Sequence, residues 1–178
     1  MSTLPLVLLH GWGLSARVWA GLRAALPEEL AVHAPELPGH GEAPPAAAAT
    51  LEAWGEQLLA AMPARAVLCG WSLGGLIALD LALRHPQRIA RVVLIGASPC
   101  FVARAADDAH GAWPHGLAPT TVDEFIAGFA TDAPATLRRF VALQALGDGQ
   151  RRTVATALAK ALSGCDGTRR AALADGLE

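Results

Sequence analysis

The apolar positions fall into two regimes along the chain. Over the first hundred residues, short apolar runs alternate with helix-period stretches, and Gly, Pro and polar residues separate them. Residues 5–10, 30–35, 65–70 and 91–96 predict strands, and residues 15–25, 51–61 and 73–85 predict helices. This alternation is that of a parallel sheet covered by helices. Pro38-Gly-His-Gly41 reads as a loop after the second strand, and Pro44-Pro45 with its alanine run as a connector. After Ser98-Pro99 the pattern changes to helices alone. Residues 121–129, 134–146 and 150–162 predict three amphipathic segments, with Pro134 at a start and Gly147 and Gly164 as stops. The expected division is an α/β core over residues 1–105 and a helical cap over residues 106–178, placed to exclude water and select a substrate.

Two motifs sit where this alternation puts strand ends. Gly70-Trp-Ser-Leu-Gly-Gly75 is a G-x-S-x-G core between an apolar run and a long apolar helix. In that context a serine on a tight strand-to-helix turn is exposed as a nucleophile, here Ser72. Gly70 and Gly74 permit the turn and Gly75 a close helix contact. A glycine-rich turn without chemistry would carry the same letters. The second motif, Leu6-Val-Leu-Leu-His-Gly-Trp-Gly13, is a short apolar run that ends in a loop rich in N–H groups. Acyl transfer places negative charge on oxygen and needs donors aimed at it beforehand. The N–H groups of Leu73 and Trp12 are the expected pair. In this order, about 60 residues apart, the two motifs resemble the α/β-hydrolase pattern.

Composition narrows the class further. Of 178 residues, 53% are hydrophobic and 17% charged, which suits one domain with a core and argues against disorder. A net charge of −2 gives no general attraction to nucleic acid or anionic membranes. Cys69, Cys100 and Cys165 have no C-x-x-C spacing, so neither a disulfide framework nor a zinc site is expected, and Cys69 reads as a small core residue. No basic segment precedes the first apolar run, and no uncharged run reaches membrane-spanning length. A cytoplasmic enzyme without metal or organic cofactor is the expectation.

The cap carries two further features. Leu137, Phe140, Val141 and Gln144 share one helical stripe, so Gln144 either reaches solvent at its edge or faces a cleft beside Phe140. Residues 135–170 contain seven basic side chains (Arg138, Arg139, Arg151, Arg152, Lys160, Arg169, Arg170) against Asp148 and Asp166. Either these are solvated helix faces or they dock an acidic partner.

Taken together, Leu8-Leu-His-Gly-Trp-Gly13, Gly70-Trp-Ser-Leu-Gly-Gly75, Ser98-Pro-Cys-Phe101 and Phe140-Val-Ala-Leu-Gln144 resemble the pimeloyl-acyl-carrier-protein methyl ester esterases of biotin synthesis, over nearly the whole chain. The resemblance implies a serine carboxylesterase that hydrolyses the methyl ester of a pimeloyl chain on acyl carrier protein. It implies Ser72 as nucleophile, and Trp12, Ser72, Leu73, Phe140, Val141, Ala142, Leu143 and Gln144 at the substrate. Basic cap residues would hold the carrier, with Arg139 and Arg152 the best matches and Arg138 and Arg151 beside them. The complete protein is expected to be a monomer.

The sequence departs from that family in one respect. The triad acid and histidine of the fold follow the cap, yet no histidine occurs after His115. His85 lies 13 residues beyond Ser72, nearly 20 Å at about 1.5 Å per helical residue. His10 belongs to the oxyanion loop, His110 and His115 precede the cap helices, and Asp80 is on the elbow helix. The expectation is therefore an esterase lacking its C-terminal strands, with the apolar strand at Val92-Val-Leu-Ile95 left as a sheet edge. Another small esterase or lipase of the same fold, and a non-catalytic carrier-binding remnant, are the alternatives.

Overall fold

The computed structural model describes residues 3–107, 110–164 and 167–177. Cys165, Asp166 and Glu178 lie outside them. Four parallel strands form a single sheet in the order β2-β1-β3-β4: β1 Leu6–Leu9, β2 Val32–His33, β3 Ala66–Trp71 and β4 Ile89–Ile95. Alternation along β1 explains how the sheet is sandwiched. Val7 and Leu9 join Ala66 and Leu68 under the helices α2 (Leu51–Ala61) and α3 (Leu73–Arg84), where Trp54, Leu58, Ile77, Ala78 and Leu81 complete the main core. Leu8 points to the other face and packs with Cys69 and Trp19. Burial pushes the Cys69 thiol pKa up, as suits a core side chain.

Two elements differ from their patterns, one in length and one in helix type. Only Val32 and His33 pair with β1, since Pro35 cannot donate to a ladder. The helix expected from Ser15 begins as a 3-10 turn over Ala16–Trp19 and continues as α1, Ala20–Ala25. Ser15 does not cap it; its hydroxyl donates to Ala161 O at 2.9 Å, and Glu36 accepts the Ala16 N–H at 2.9 Å instead. By contrast α2 starts where predicted, with Thr50 accepting the Ala53 N–H at 3.1 Å.

Beyond β4 the chain makes an isolated bridge between Val102 and Leu117 and another between Arg104 and Trp113. Four helices follow: α4 Pro119–Thr131, α5 Ala133–Gln144, α6 Arg151–Lys160 and α7 Gly167–Asp175. Asp132 caps α5 through the Ala135 N–H, and the left-handed Gly147 and Gly164 (φ +83° each) lie between the helices. α7 was not legible in the apolar pattern, because only Ala172 and Leu173 of its nine residues are buried. No helix among the described residues is long and apolar enough to cross a membrane.

β4 is an edge strand of the described sheet, and Val93, Leu94 and Ile95 are 48, 39 and 41% exposed. Val92 instead packs against the main core. An apolar edge with unpaired backbone groups is a template for another chain. The double substitution Val93→Lys and Ile95→Lys should therefore reduce self-association in analytical ultracentrifugation without changing the circular-dichroism spectrum. Concentration-independent sedimentation of the parent protein would contradict this.

Candidate active site

The site is built on the crossing of β1, β3 and the start of α3. Ser72 joins β3 to α3 at φ 53°, ψ −119°, and is the one non-glycine residue with positive φ among those described. Such a conformation costs roughly 1–3 kcal/mol and persists only where its surroundings enforce it. They do so sterically. A Cβ on Gly70 would stand 2.3 Å from Gly74 O, and a Cβ on Gly74 would stand 2.3 Å from Leu9 O. The turn therefore closes only with hydrogen atoms at both positions, and Ser72 is left half-buried at its apex. Leu73 is the first residue of α3, so its N–H belongs to the donors that a helix N-terminus leaves without an intrahelical partner.

The loop after β1 lies alongside. A Cβ on Gly11 would be 3.4 Å from Ser72 Cβ, which measures how close the two loops run. The Trp12 indole is 5% exposed and donates to Leu173 O of α7 at 2.8 Å. Phe125, Phe129 and Phe140 meet the indole edge-on at centroid distances of 5.4, 5.3 and 5.5 Å, and Leu73 packs against the same cluster. Trp12, Leu73 and Phe140 are thus brought together as the sequence suggested. Val141 belongs to a different cluster, with Leu14, Leu158 and Ala161, while Ala142, Leu143 and Gln144 are exposed. Two cavities, of about 490 and 230 Å³, lie between the 38–49 segment and α7, and Ser72 lines neither.

Two histidines hold the loop from below. His10 and His40 are both inaccessible to solvent, with ring centroids 5.4 Å apart. His10 Nδ1 lies 2.9 Å from Gly11 O, and its Nε2 sits between the Leu37 N–H at 3.1 Å and the Glu36 carboxylate at 3.0 Å. The neutral ring accepts from Leu37; the protonated ring donates to Glu36. Burial alone would raise the Glu36 pKa, but the His10 contact, the Ala16 N–H and the neighbouring imidazoles together leave it lowered. His40 Nδ1 lies 3.0 Å from Pro38 O, and its Nε2 accepts the Gly13 N–H at 3.1 Å. Desolvation, followed by repulsion from His10, drops the His40 pKa to about 4. His40 gave no signal in the sequence beyond its place in a turn, yet it fixes the loop that carries Trp12.

Three of the other histidines are engaged elsewhere, and His33 is exposed on β2. His85 pairs with Glu56 at 2.8 Å within a network in which Arg84 also binds Asp80 and Glu56, so Asp80 and His85 serve the α2–α3 contact. His110 is 3.3 Å from Asp107, and His115 packs on Trp113. Among the described residues, no imidazole nitrogen hydrogen-bonds Ser72.

Strand order, elbow and flanking helices define an α/β hydrolase, and the family model for the alpha/beta hydrolase fold matches residues 5–164. The pimeloyl-[acyl-carrier protein] methyl ester esterase of Aromatoleum aromaticum is 59% identical over 178 residues, which is 100% of this chain and 70% of that protein. The protein of the same name from Klebsiella pneumoniae is 40% identical over 97% of this chain and 65% of its own length. Among solved structures, the enol-lactonase of Burkholderia xenovorans superimposes with a TM-score of 0.73 at 24% identity, covering 98% of this chain and 65% of that one. The chain belongs to the α/β-hydrolase family and, within it, to the pimeloyl-[acyl-carrier protein] methyl ester esterases.

A pH dependence follows from His40. Its folded pKa, about 4, lies below the ordinary 6.5, so between these values the unfolded chain binds the extra proton. The stability tied to neutral His40 is complete above pH 6.5 and drains as pH falls toward 4, to a total on the order of 3 kcal/mol. Glu36 adds its own acid sensitivity only below its ordinary value of 4.5. Urea unfolding between pH 7 and 4.5 should show stability falling in the parent and a flatter profile in His40→Gln. Equal slopes would reject the assignment.

Proposed function

We propose that the chain carries the nucleophile, oxyanion loop and cap of a cytoplasmic, monomeric serine carboxylesterase that hydrolyses the methyl ester of a pimeloyl group on acyl carrier protein in biotin synthesis. The observation that carries this reading is the 59% identity over the whole chain to an esterase of that name, with Ser72 held at φ 53° in a strand-to-helix elbow.

In this reading Ser72 Oγ adds to the ester carbonyl carbon as its proton passes to a base. The developing oxyanion takes hydrogen bonds from the N–H groups of Leu73 and Trp12. Collapse of the tetrahedral species breaks the bond to the methoxy oxygen, which leaves as methanol. Water then attacks the acyl-serine, freeing the carboxylate and restoring the hydroxyl. The Phe140 ring, edge-on to Trp12, offers an apolar wall to the methylene chain. Val141, next in the chain, anchors the same helix against Leu14, Leu158 and Ala161, and the exposed Ala142, Leu143 and Gln144 meet the part of the chain arriving from the carrier. The exposed Arg138, Arg139, Arg151 and Arg152 form no ion pair among the described residues and are available to an acidic carrier.

A second reading, a carrier-protein binder without catalysis, draws on the lack of an imidazole at Ser72. Without a positioned base, a serine retains only the oxyanion and binding contributions, about 10³ to 10⁴ over water. Residues 1–178 should accordingly hydrolyse activated esters far below about 1 s⁻¹. Turnover above that, abolished by Ser72→Ala, would contradict the absence of a base at Ser72. For the carrier, the combined Arg139→Ala and Arg152→Ala variant should bind pimeloyl-methyl-ester carrier protein more weakly, with an affinity that falls as salt rises, and bind free methyl pimelate unchanged. Equal loss for both ligands, or salt-independent binding in the parent, would return the arginines to a solvated helix face.

A further inference from the structure

The end of the cap is stitched to the loop that carries Trp12. Leu14 and Leu162 form an antiparallel bridge, Ser15 Oγ donates to Ala161 O at 2.9 Å, and the Ser163 N–H donates to Gly13 O at 2.9 Å. Ser163, itself 7% exposed, also accepts the Gly41 N–H on its hydroxyl at 2.7 Å. Gly41 follows His40, whose Nε2 accepts the Gly13 N–H at 3.1 Å. The chain of contacts therefore closes on itself: Gly13 to His40, along the backbone to Gly41, to the Ser163 side chain, and from the Ser163 N–H back to Gly13.

Both polar groups of Gly13 are consequently held from outside its own loop. Its left-handed backbone, φ +71°, disfavours any side chain, and a Cβ would stand 2.9 Å from Leu137 Cδ2 of α5. The preceding residue is fixed through its indole on Leu173 O. Trp12 is thus flanked by contacts to the later helices both through its indole and through Gly13.

We propose that Ser163 is a positioning residue for the oxyanion loop: its hydroxyl and N–H lock the 38–41 turn and Gly13 together, and this orients the Trp12 N–H toward the Ser72 side. The proposal rests on the reading of Trp12 as an oxyanion donor. A hydroxyl is what the geometry requires at position 163, since removing it leaves the Gly41 N–H without its acceptor, while threonine restores it.

The test compares the parent chain with Ser163→Ala and Ser163→Thr, matched by thermal unfolding. Two measurements are made: residue-resolved amide exchange by NMR, and binding of a linear alkylboronic acid, whose boron bonds to Ser72 Oγ while the serine proton passes to buffer. In Ser163→Ala, exchange at Gly13 should rise about tenfold while Leu68 and Ile77 stay unchanged, and boronate affinity should fall about tenfold; Ser163→Thr should recover both. Unchanged exchange at Gly13 in Ser163→Ala overturns the proposal, as does a threonine variant that behaves like alanine. If Gly13 responds but boronate binding survives Ser72→Ala in the parent, the link between cap and loop stands and the catalytic reading of Ser72 fails.

Discussion

The architecture turns on a contact made without side chains. Where β3 enters α3, the backbone of Gly70 lies against Gly74, and Gly74 lies against the carbonyls of Leu9 and His10 at the end of β1. Any Cβ at these points would overlap backbone atoms, which cannot swing aside as a flexible side chain can. This close approach holds Ser72 in its strained conformation and draws the β1 loop to its flank. Ser72, Leu73 and Trp12 therefore share one small region even though 60 residues separate Trp12 from Ser72.

A second layer of constraint comes from polar groups buried beneath the loop. Desolvation, followed by repulsion from the His10 ring 5.4 Å away, keeps His40 neutral well below its ordinary range. A neutral imidazole can offer an acceptor on one nitrogen and a donor on the other, which is what Gly13 N–H and Pro38 O require. The histidines of the core thus support the loop and are not free to activate Ser72.

Much of the fold was legible because its strands are short apolar runs and its helices have a clear period. α2 falls over the residues its apolar period marked, and the elbow where its glycines placed it. The first helix also falls within a residue of its expected bounds, but it opens as a 3-10 turn, and its Ser15 hydroxyl is drawn to Ala161, a partner 146 residues away that no local pattern announces. α7 escaped for a similar reason: Leu173 is buried against Trp12, and the helix has no apolar stripe of its own. At the site, Ser72, Leu73, Trp12 and Phe140 could be named from motifs and resemblance. His40 and Ser163 could not, because their roles exist only in hydrogen bonds between distant loops. The Gln144 stripe left two readings open, and the exposure of that side chain is compatible with both.

On the proposed reading, the chemistry reduces to a nucleophile at Ser72 and an oxyanion loop at Trp12, lacking a neighbouring base among the described residues. The most direct measurement supplies that base from solution. Hydrolysis of a p-nitrophenyl acyl ester by this chain should be followed against added imidazole, with the imidazole-only rate subtracted. The expected result is turnover that rises with the concentration of free imidazole base and vanishes in Ser72→Ala. Identical rates in the parent and Ser72→Ala at every imidazole concentration would contradict the assignment of Ser72 as a nucleophile held ready by the elbow.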